Sequence, residues 1–165
     1  MGLAASEKGV HALVLGKPSR AATTRALGSG PPPNGPPDAE TRALLRAARR
    51  QVERYLGGKS RTLDFPVDLS GGTPFQRRVW QTALRIPYGR ARSYRWIASK
   101  VGGPRYARAV GNALGANPVP LIVPCHRIVA QDASLGGFSC GLAVKRRLLE
   151  LEGTLALLQT GAGGR

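Results

Sequence analysis

Ser93 to Ala116 reads SYRWIASKVGGPRYARAVGNALGA, and its reading decides what the chain folds into. Two apolar-periodic segments, SYRWIASKV and RYARAVGNALGA, are separated only by Gly102, Gly103 and Pro104. Two short helices joined by a tight glycine turn are the pattern of a helix-turn-helix. In the first, Ser93 suits an N-cap, and Tyr94, Ile97, Ala98 and Val101 share one face. In the second, Ala107, Val110 and Leu114 face inward, which leaves Arg108, Asn112 and Gly115 on the opposite side. Gly111 and Gly115 each lower helix stability by roughly 1 kcal/mol. That makes sense where a bulky partner must approach the backbone closely. A plain helical hairpin carries the same pattern, so the surroundings have to choose between the two.

The charge distribution favours nucleic acid. The formal net charge is +16 and the pI about 11.4, far beyond what solubility requires. Arg77, Arg78, Arg85, Arg90, Arg92, Arg95, Lys100, Arg105 and Arg108 follow one another without an intervening acid, and acids return only at Asp132, Glu150 and Glu152. Biased arginine usage is the competing explanation. No basic amphipathic end segment points to a membrane surface, no apolar run reaches the ~18 to 20 residues a spanning helix needs, and MGLAASEKGV does not read as a secretory signal. The expected setting is reducing and cytoplasmic, or nuclear in a eukaryote.

Working outward, GSGPPPNGPPD at Gly28 to Asp38 cannot be helix or central strand and reads as an extended connection. Before it, LAASEKGVHALVLGK reads as two short strands around Glu7-Lys8-Gly9. After it, AETRALLRAARRQVERYLGG has helical spacing of Leu44, Ala47, Val52 and Leu56, and TLDFPVDL is an edge strand because Pro66 cannot donate to a ladder. Residues 1–70 therefore form a small α/β domain, a short antiparallel sheet plus helix. A second, mostly α domain spans 72–153. Thr73, Pro74 and Gln76 open its first helix as cap, first-turn proline and capping-box partner, and the helix ends near Arg85. LAVKRRLLELEG is its last helix, with Leu142, Val144, Leu148, Leu149 and Leu151 supplying apolar surface; 154–165 is expected to be a flexible tail.

Between these helices, NPVPLIVPCHRIV brings a buried extended segment to Cys125, followed directly by His126 and Arg127. A cysteine in an apolar segment is ordinarily a small core residue. A neighbouring imidazole or guanidinium favours thiolate, the nucleophilic form. Glu152 lies where a returning helix can bring it to His126, giving nucleophile, base and orienting carboxylate; a surface histidine and a surface acid are the plain alternatives. Cys125 and Cys140 with two histidines are too few soft ligands for a zinc site.

The segment Asn117 to Val129 strongly resembles the active-site segment of the O6-alkylguanine-DNA alkyltransferases, single-turnover suicide repair proteins. The resemblance extends over FQRRVWQTALRIPYG, SYRWIA, ARAVGNALGANPVP and GLAVKRRLLELEG, closely from about 72 to 153 and loosely before it. It implies a ribonuclease H-like N-terminal domain joined to a domain with a winged-helix-like helix-turn-helix. It implies that Cys125 takes the alkyl group from O6 of guanine, or from O4 of thymine, as an irreversible thioether. His126 would be a water-mediated base oriented by Glu152, Asn117 would brace the preceding turn, and Tyr94 would crowd the target phosphate and protonate the departing guanine. Arg108 would enter the base stack in place of the flipped nucleotide, with Arg105, Gly111, Asn112 and Gly115 meeting the minor groove of double-stranded DNA. Val129, Phe138, Ser139, Cys140 and Pro120 would line the pocket. No metal, organic cofactor, membrane or obligate protein partner is implied. Phe138 stands where many relatives carry tyrosine, Cys140 where glycine is common, and Arg90 where an acid is common; the N-terminal domain also starts late. A lesion sensor without transfer, a transcription regulator using the helix pair alone, and a turning-over cysteine hydrolase are the competing functions.

Overall fold

A computed structural model of the chain describes residues 1–16, 19–27 and 37–159. The fold divides into two compact units, Met1–Leu69 and Ser70–Arg165, with small sheets and mostly helical content. Among the described residues no helix is long and apolar enough to cross a membrane.

In the first unit, β1 (Gly2–Ser6) and β2 (Gly9–Val14) form an antiparallel hairpin with Leu3 opposite Leu13. Val10 donates to the Pro66 carbonyl at 2.9 Å and accepts from the Asp68 amide at 2.9 Å. The TLDFPVDL segment therefore meets β2 through a parallel bridge at Val67, and its proline contributes an acceptor where it lacks a donor. A short helix that the sequence did not reveal, α1 (Arg20–Leu27), has no buried residue; without an apolar stripe, periodicity had nothing to detect. The long helix α2 (Ala39–Leu56) begins at Asp38, whose carboxylate accepts from the Thr41 amide at 2.7 Å. Ala48, Val52 and Tyr55 form its buried face, packed on β1 and β2. Asp38 thus caps a helix. Of the expected Gly28–Asp38 connection, 28–36 lie outside the described residues.

The second unit opens with α3 (Pro74–Ala83), held by the full Thr73/Gln76 capping box. Its Trp80 is 2% exposed and donates Nε1–H to the Ala113 carbonyl at 2.8 Å, fastening α3 to the helix pair. That pair is α4 (Tyr94–Val101), capped by Ser93, and α5 (Ala107–Gly115), separated by a 3-10 turn at Pro104–Tyr106. Ile97, Ala98, Val110, Ala113 and Leu114 are buried between them, while Arg108, Asn112 and Gly115 are exposed as their spacing requires. Just before α4, the two-residue β3 (Arg92–Ser93) pairs in parallel with β4 (Ile128–Val129), which sets Tyr94 beside the chain that carries Cys125.

Two expectations fail here. The approach to Cys125 is a tight turn and not an extended segment: Leu121 has φ +80° and the Val123 amide donates to the Val119 carbonyl at 3.0 Å. Nor is the C-terminal segment without structure, because Thr154–Gln159 forms α7, burying Thr154 and Leu158 against α6 (Leu142–Leu151). Short length and the glycines beyond it hid this helix, which tertiary packing stabilises; residues 160–165 lie outside the described residues. Leu142 is 53% exposed and adds nothing to the core. The buried stripe of α6 runs instead through Lys145, Leu148 and Leu149 and on to Glu152, one helical face that carries a charge at each end.

Candidate active site

All the chemistry-bearing residues singled out in the sequence lie in the second unit, and a local structural reason places each one. Asn117 follows α5 and holds both ends of the Val119–Val123 turn. Its Oδ1 accepts from the Val119 amide at 3.0 Å, and its Nδ2 donates to the Val123 carbonyl at 2.9 Å and to Cys125 Sγ at 3.1 Å. A leucine at positive φ is an uncommon, strained conformation. Asn117 and burial of Leu121 at 2% exposure hold it there. The turn delivers Cys125 to the start of a 3-10 turn, Cys125–Arg127, whose residues are all buried.

Adjacency to His126 and Arg127 does not activate the thiol, contrary to the simple sequence expectation. Burial pushes Cys125 up to about 11, and the Asn117 hydrogen bond only partly opposes it. Both basic neighbours are turned toward Glu152. His126 Nε2 meets Glu152 Oε1 at 2.6 Å, Arg127 Nε lies 2.9 Å from Oε2, Arg127 Nη2 lies 3.1 Å from Oε1, and the Gly89 amide donates to Oε2 at 3.1 Å. Arg127 also donates to the Ile86 carbonyl at 2.7 Å. Burial acts to raise the Glu152 carboxyl, but the hydrogen bonds and charges of His126 and Arg127 outweigh it and hold the group at about 2. Burial lowers His126 against the pull of Glu152. A carboxylate facing Nε2 accepts a hydrogen bond from it, so the ring proton stays on that nitrogen. The lone pair then sits on Nδ1, which is buried and has no hydrogen-bond partner among the described residues. The site therefore holds a neutral thiol, a neutral imidazole with its acceptor on Nδ1, and a fixed carboxylate.

Above the thiol opens a cavity of about 560 Å³. Cys125 lies on its lining together with Tyr94, Arg108, Gly111, Asn112 and Gly115 from the helix pair, and Phe138 and Ser139 from the 130–141 loop. The two helical glycines meet no tight internal contact. A Cβ on Gly115 would find nothing within 4 Å, and one on Gly111 would find only the Tyr94 ring at 3.9 Å. Gly136 differs: it has φ +62°, and a Cβ there would come within 3.0 Å of Tyr94. Tyr94 donates its hydroxyl to the Gly137 carbonyl at 3.3 Å, and burial with the nearby Cys125 charge raises its pKa. The ring of Phe138 meets His126 edge-on at 6.4 Å between centroids.

Other expected pocket residues fall outside this lining. Val129 is buried in a cluster with Ala91, Leu149 and Leu158, because its pairing in β4 turns it into the core. Pro120 is buried in the turn, and Cys140 is half-buried after Ser139. Arg105 is exposed, with its guanidinium 5.1 Å over the Tyr106 ring.

Two residues were not foreseen. Lys145 is fully buried and donates Nζ to the Ile128 carbonyl at 2.6 Å and the Gly137 carbonyl at 3.3 Å. It ties the strand after Cys125 to the loop that walls the cavity, and burial holds it down at about 8. Tyr88 stacks under Arg127 at 5.8 Å and donates its hydroxyl to the Leu151 carbonyl at 3.0 Å. The signal for Lys145 was present in the sequence as a charged residue on the apolar stripe of the last helix, seven positions before Glu152.

The fold and the site define a thiol protein whose buried cysteine opens into a cavity walled by a helix-turn-helix. Residues 74–154 match the family described as 6-O-methylguanine DNA methyltransferase, DNA binding domain. A methylated-DNA–protein-cysteine methyltransferase of Methanosarcina barkeri (strain Fusaro) is 43% identical over 113 residues, covering 68% of this chain and 71% of that relative. The protein of the same name from Mycobacterium tuberculosis H37Rv is 49% identical over 102 residues, covering 62% of this chain and 61% of that relative. A crystal structure of Mycobacterium tuberculosis OGT in complex with DNA aligns with a TM-score of 0.72 and 38% identity over 91% of this chain and 84% of that one. The chain belongs to the methylated-DNA–protein-cysteine methyltransferase family.

Proposed function

We propose that this protein repairs O6-alkylguanine in double-stranded DNA by transferring the alkyl group, once and irreversibly, to Cys125. The observation that carries this function is the cavity that joins the Cys125 thiol to the exposed face of α5. A thiol that opens toward that face is placed to receive a group presented by whatever the helix pair binds, and the basic surface selects DNA.

An alkyl group on O6 is inaccessible in a stacked duplex, so the base must be extruded, at roughly a few kcal/mol. Arg108 fills the vacated stack, and Gly111, Asn112 and Gly115 with Arg105 admit the minor-groove backbone where larger side chains would stand off. In the cavity the sulfur bonds to the alkyl carbon as the bond from that carbon to O6 breaks. The thiol proton passes to His126 Nδ1, directly or through one water, and Glu152 holds the imidazole and stabilises it once charged. Tyr94, whose raised pKa keeps its proton in place, gives that proton to the departing guanine. A neutral resting thiol protects the protein from adventitious alkylation and oxidation until a substrate is seated. Phe138 and Ser139 wall the base and set the size of alkyl group, on O4 of thymine as well as O6 of guanine.

In the same reading the unit after Ser70 is the alkyltransferase and DNA-binding domain. Its β3–β4 pair beside α4 and α5 supports a winged-helix-like arrangement, and the hairpin, bridge and long helix of the first unit support a reduced ribonuclease H-like domain. Incubation with a duplex carrying O6-methylguanine should add one methyl group, located on Cys125 by peptide mass spectrometry, and stop at one per protein. Cys125→Ser should abolish transfer while retaining duplex binding. An unmodified Cys125 with lesion DNA in excess would overturn the proposal.

A further inference from the structure

The arginines of α2 are unused by any site described so far. Arg42, Arg46, Arg50 and Arg54 follow at four-residue intervals, with Arg49 beside them, and all five are exposed. Residues four apart are neighbours on a helix surface, so this row is a ridge of three successive like-charge pairs, each of which destabilises the helix. The row is barely neutralised from within. Glu53 pairs with Arg49 at 2.8 Å, and Arg42 donates to the Pro37 carbonyl. The side chains of Arg46, Arg50 and Arg54 have no hydrogen-bond or ion-pair partner among the described residues. A helix with the residues of α2 would be more stable without the ridge, and a polyanionic partner is what relieves the repulsion.

We infer that the arginine ridge of α2 is a second phosphate-binding surface, by which the first unit holds duplex DNA independently of sequence and of the lesion. The inference rests on the DNA-repair function proposed above. Guanidinium groups suit phosphate oxygens because their donors form a planar fork. From Arg42 to Arg54 the ridge rises about 18 Å at 1.5 Å per residue, and a duplex offers one phosphate charge per ~1.7 Å of axis. Acceptors are therefore not limiting. A lipid surface fits less well, because a basic helix lies in a membrane by inserting its apolar face. Here that face, Ala48, Val52 and Tyr55, is committed to β1 and β2.

The test compares wild type with R42Q/R46Q/R50Q/R54Q, which keeps the Arg49–Glu53 pair, and with the corresponding four-lysine variant. Binding to a lesion-free duplex is followed by fluorescence anisotropy across a salt series. Neutralising the ridge should flatten the slope of log K against log salt by about 3 to 4, at ~0.9 per phosphate released, while the lysine variant keeps the wild-type slope. The glutamine variant should melt no lower than wild type, and at saturating lesion duplex its single-turnover methyl transfer to Cys125 should be unchanged. A wild-type slope in the glutamine variant would overturn the inference. So would ridge-dependent sedimentation with phosphatidylserine vesicles alongside an unaltered DNA slope, which would give the ridge to a membrane. Failure of the repair function itself reads differently, as absence of methyl on Cys125 in all three proteins.

Discussion

The exposed face of α5 and the buried floor beneath Cys125 both depend on arginine, and they use it in opposite ways. Arg108 projects from α5 into the cavity mouth, exposed to solvent. Arg127 is 8% exposed and is held by Glu152, the Ile86 carbonyl and the Tyr88 ring. An exposed guanidinium interacts weakly with its own protein because water screens it, so its charge remains for a phosphate or a base stack. A buried one has no such freedom. Once desolvated it must be paired, and its charge then serves to keep Glu152 ionised and His126 in one tautomer. The same residue type thus leaves a solvent-facing charge in one region and builds a rigid, ion-paired floor in the other.

Breaking the buried half should have the largest effect. Glu152→Gln leaves the Arg127 guanidinium buried without its counter-charge, and equilibrium denaturation should show a loss of about 3–5 kcal/mol. His126 would lose its orienting carboxylate, so single-turnover transfer should slow by roughly 10² or more. The pH dependence has a definite sign. Glu152 sits at about 2 in the fold against an ordinary 4.5, so its stabilisation is complete above pH 4.5 and disappears as pH falls toward 2. Wild type should lose more stability across that window than the glutamine variant, which keeps the acid response of Asp38 and Asp132. Equal acid sensitivity of the two would remove Glu152 from the buried pair.

A smaller effect is expected from Lys145→Met, which removes charged hydrogen bonds to Ile128 and Gly137 and should cost about 1.5–3 kcal/mol in the same measurement. Lys145 is held at about 8 against an ordinary 10.5, so between those values the unfolded chain binds the proton that the fold has released. Wild-type stability therefore rises relative to the methionine variant as pH goes from 8 to 10.5. A constant difference over that range would show that burial does not depress Lys145.

The smallest change in stability belongs to the exposed half. Arg108→Ala should leave the denaturation midpoint within ~0.5 kcal/mol of wild type. Lesion binding should weaken, and the salt slope should change by no more than about 1. A large loss of stability in this variant would erase the contrast between the two arginines.

The helix pair was legible in the sequence because it obeys short-range rules: 3.6-residue spacing of Ile97, Ala98, Val110 and Leu114, a serine cap, and a glycine turn. The α3 capping box was legible for the same reason. Cys125, His126 and Glu152 stood out as residue types, and Glu152 does meet His126. Less legible was everything set by contacts between distant segments. The Leu121 turn depends on Asn117 reaching across to Val123, and α7 exists because Leu158 finds a cluster containing Ala91 and Val129. Arg127 seemed from adjacency to serve the thiol, whereas a turn directs it to Glu152.

By itself the sequence determined the helix-turn-helix, the basic charge and the cysteine set beside two basic residues, since these rest on local periodicity, composition and residue order. Only the tertiary structure decided the environment of that thiol. Burial raises the Cys125 thiol while Glu152 draws both neighbouring basic side chains away from it, and desolvation and pairing are properties of the assembled fold that no spacing along the chain encodes.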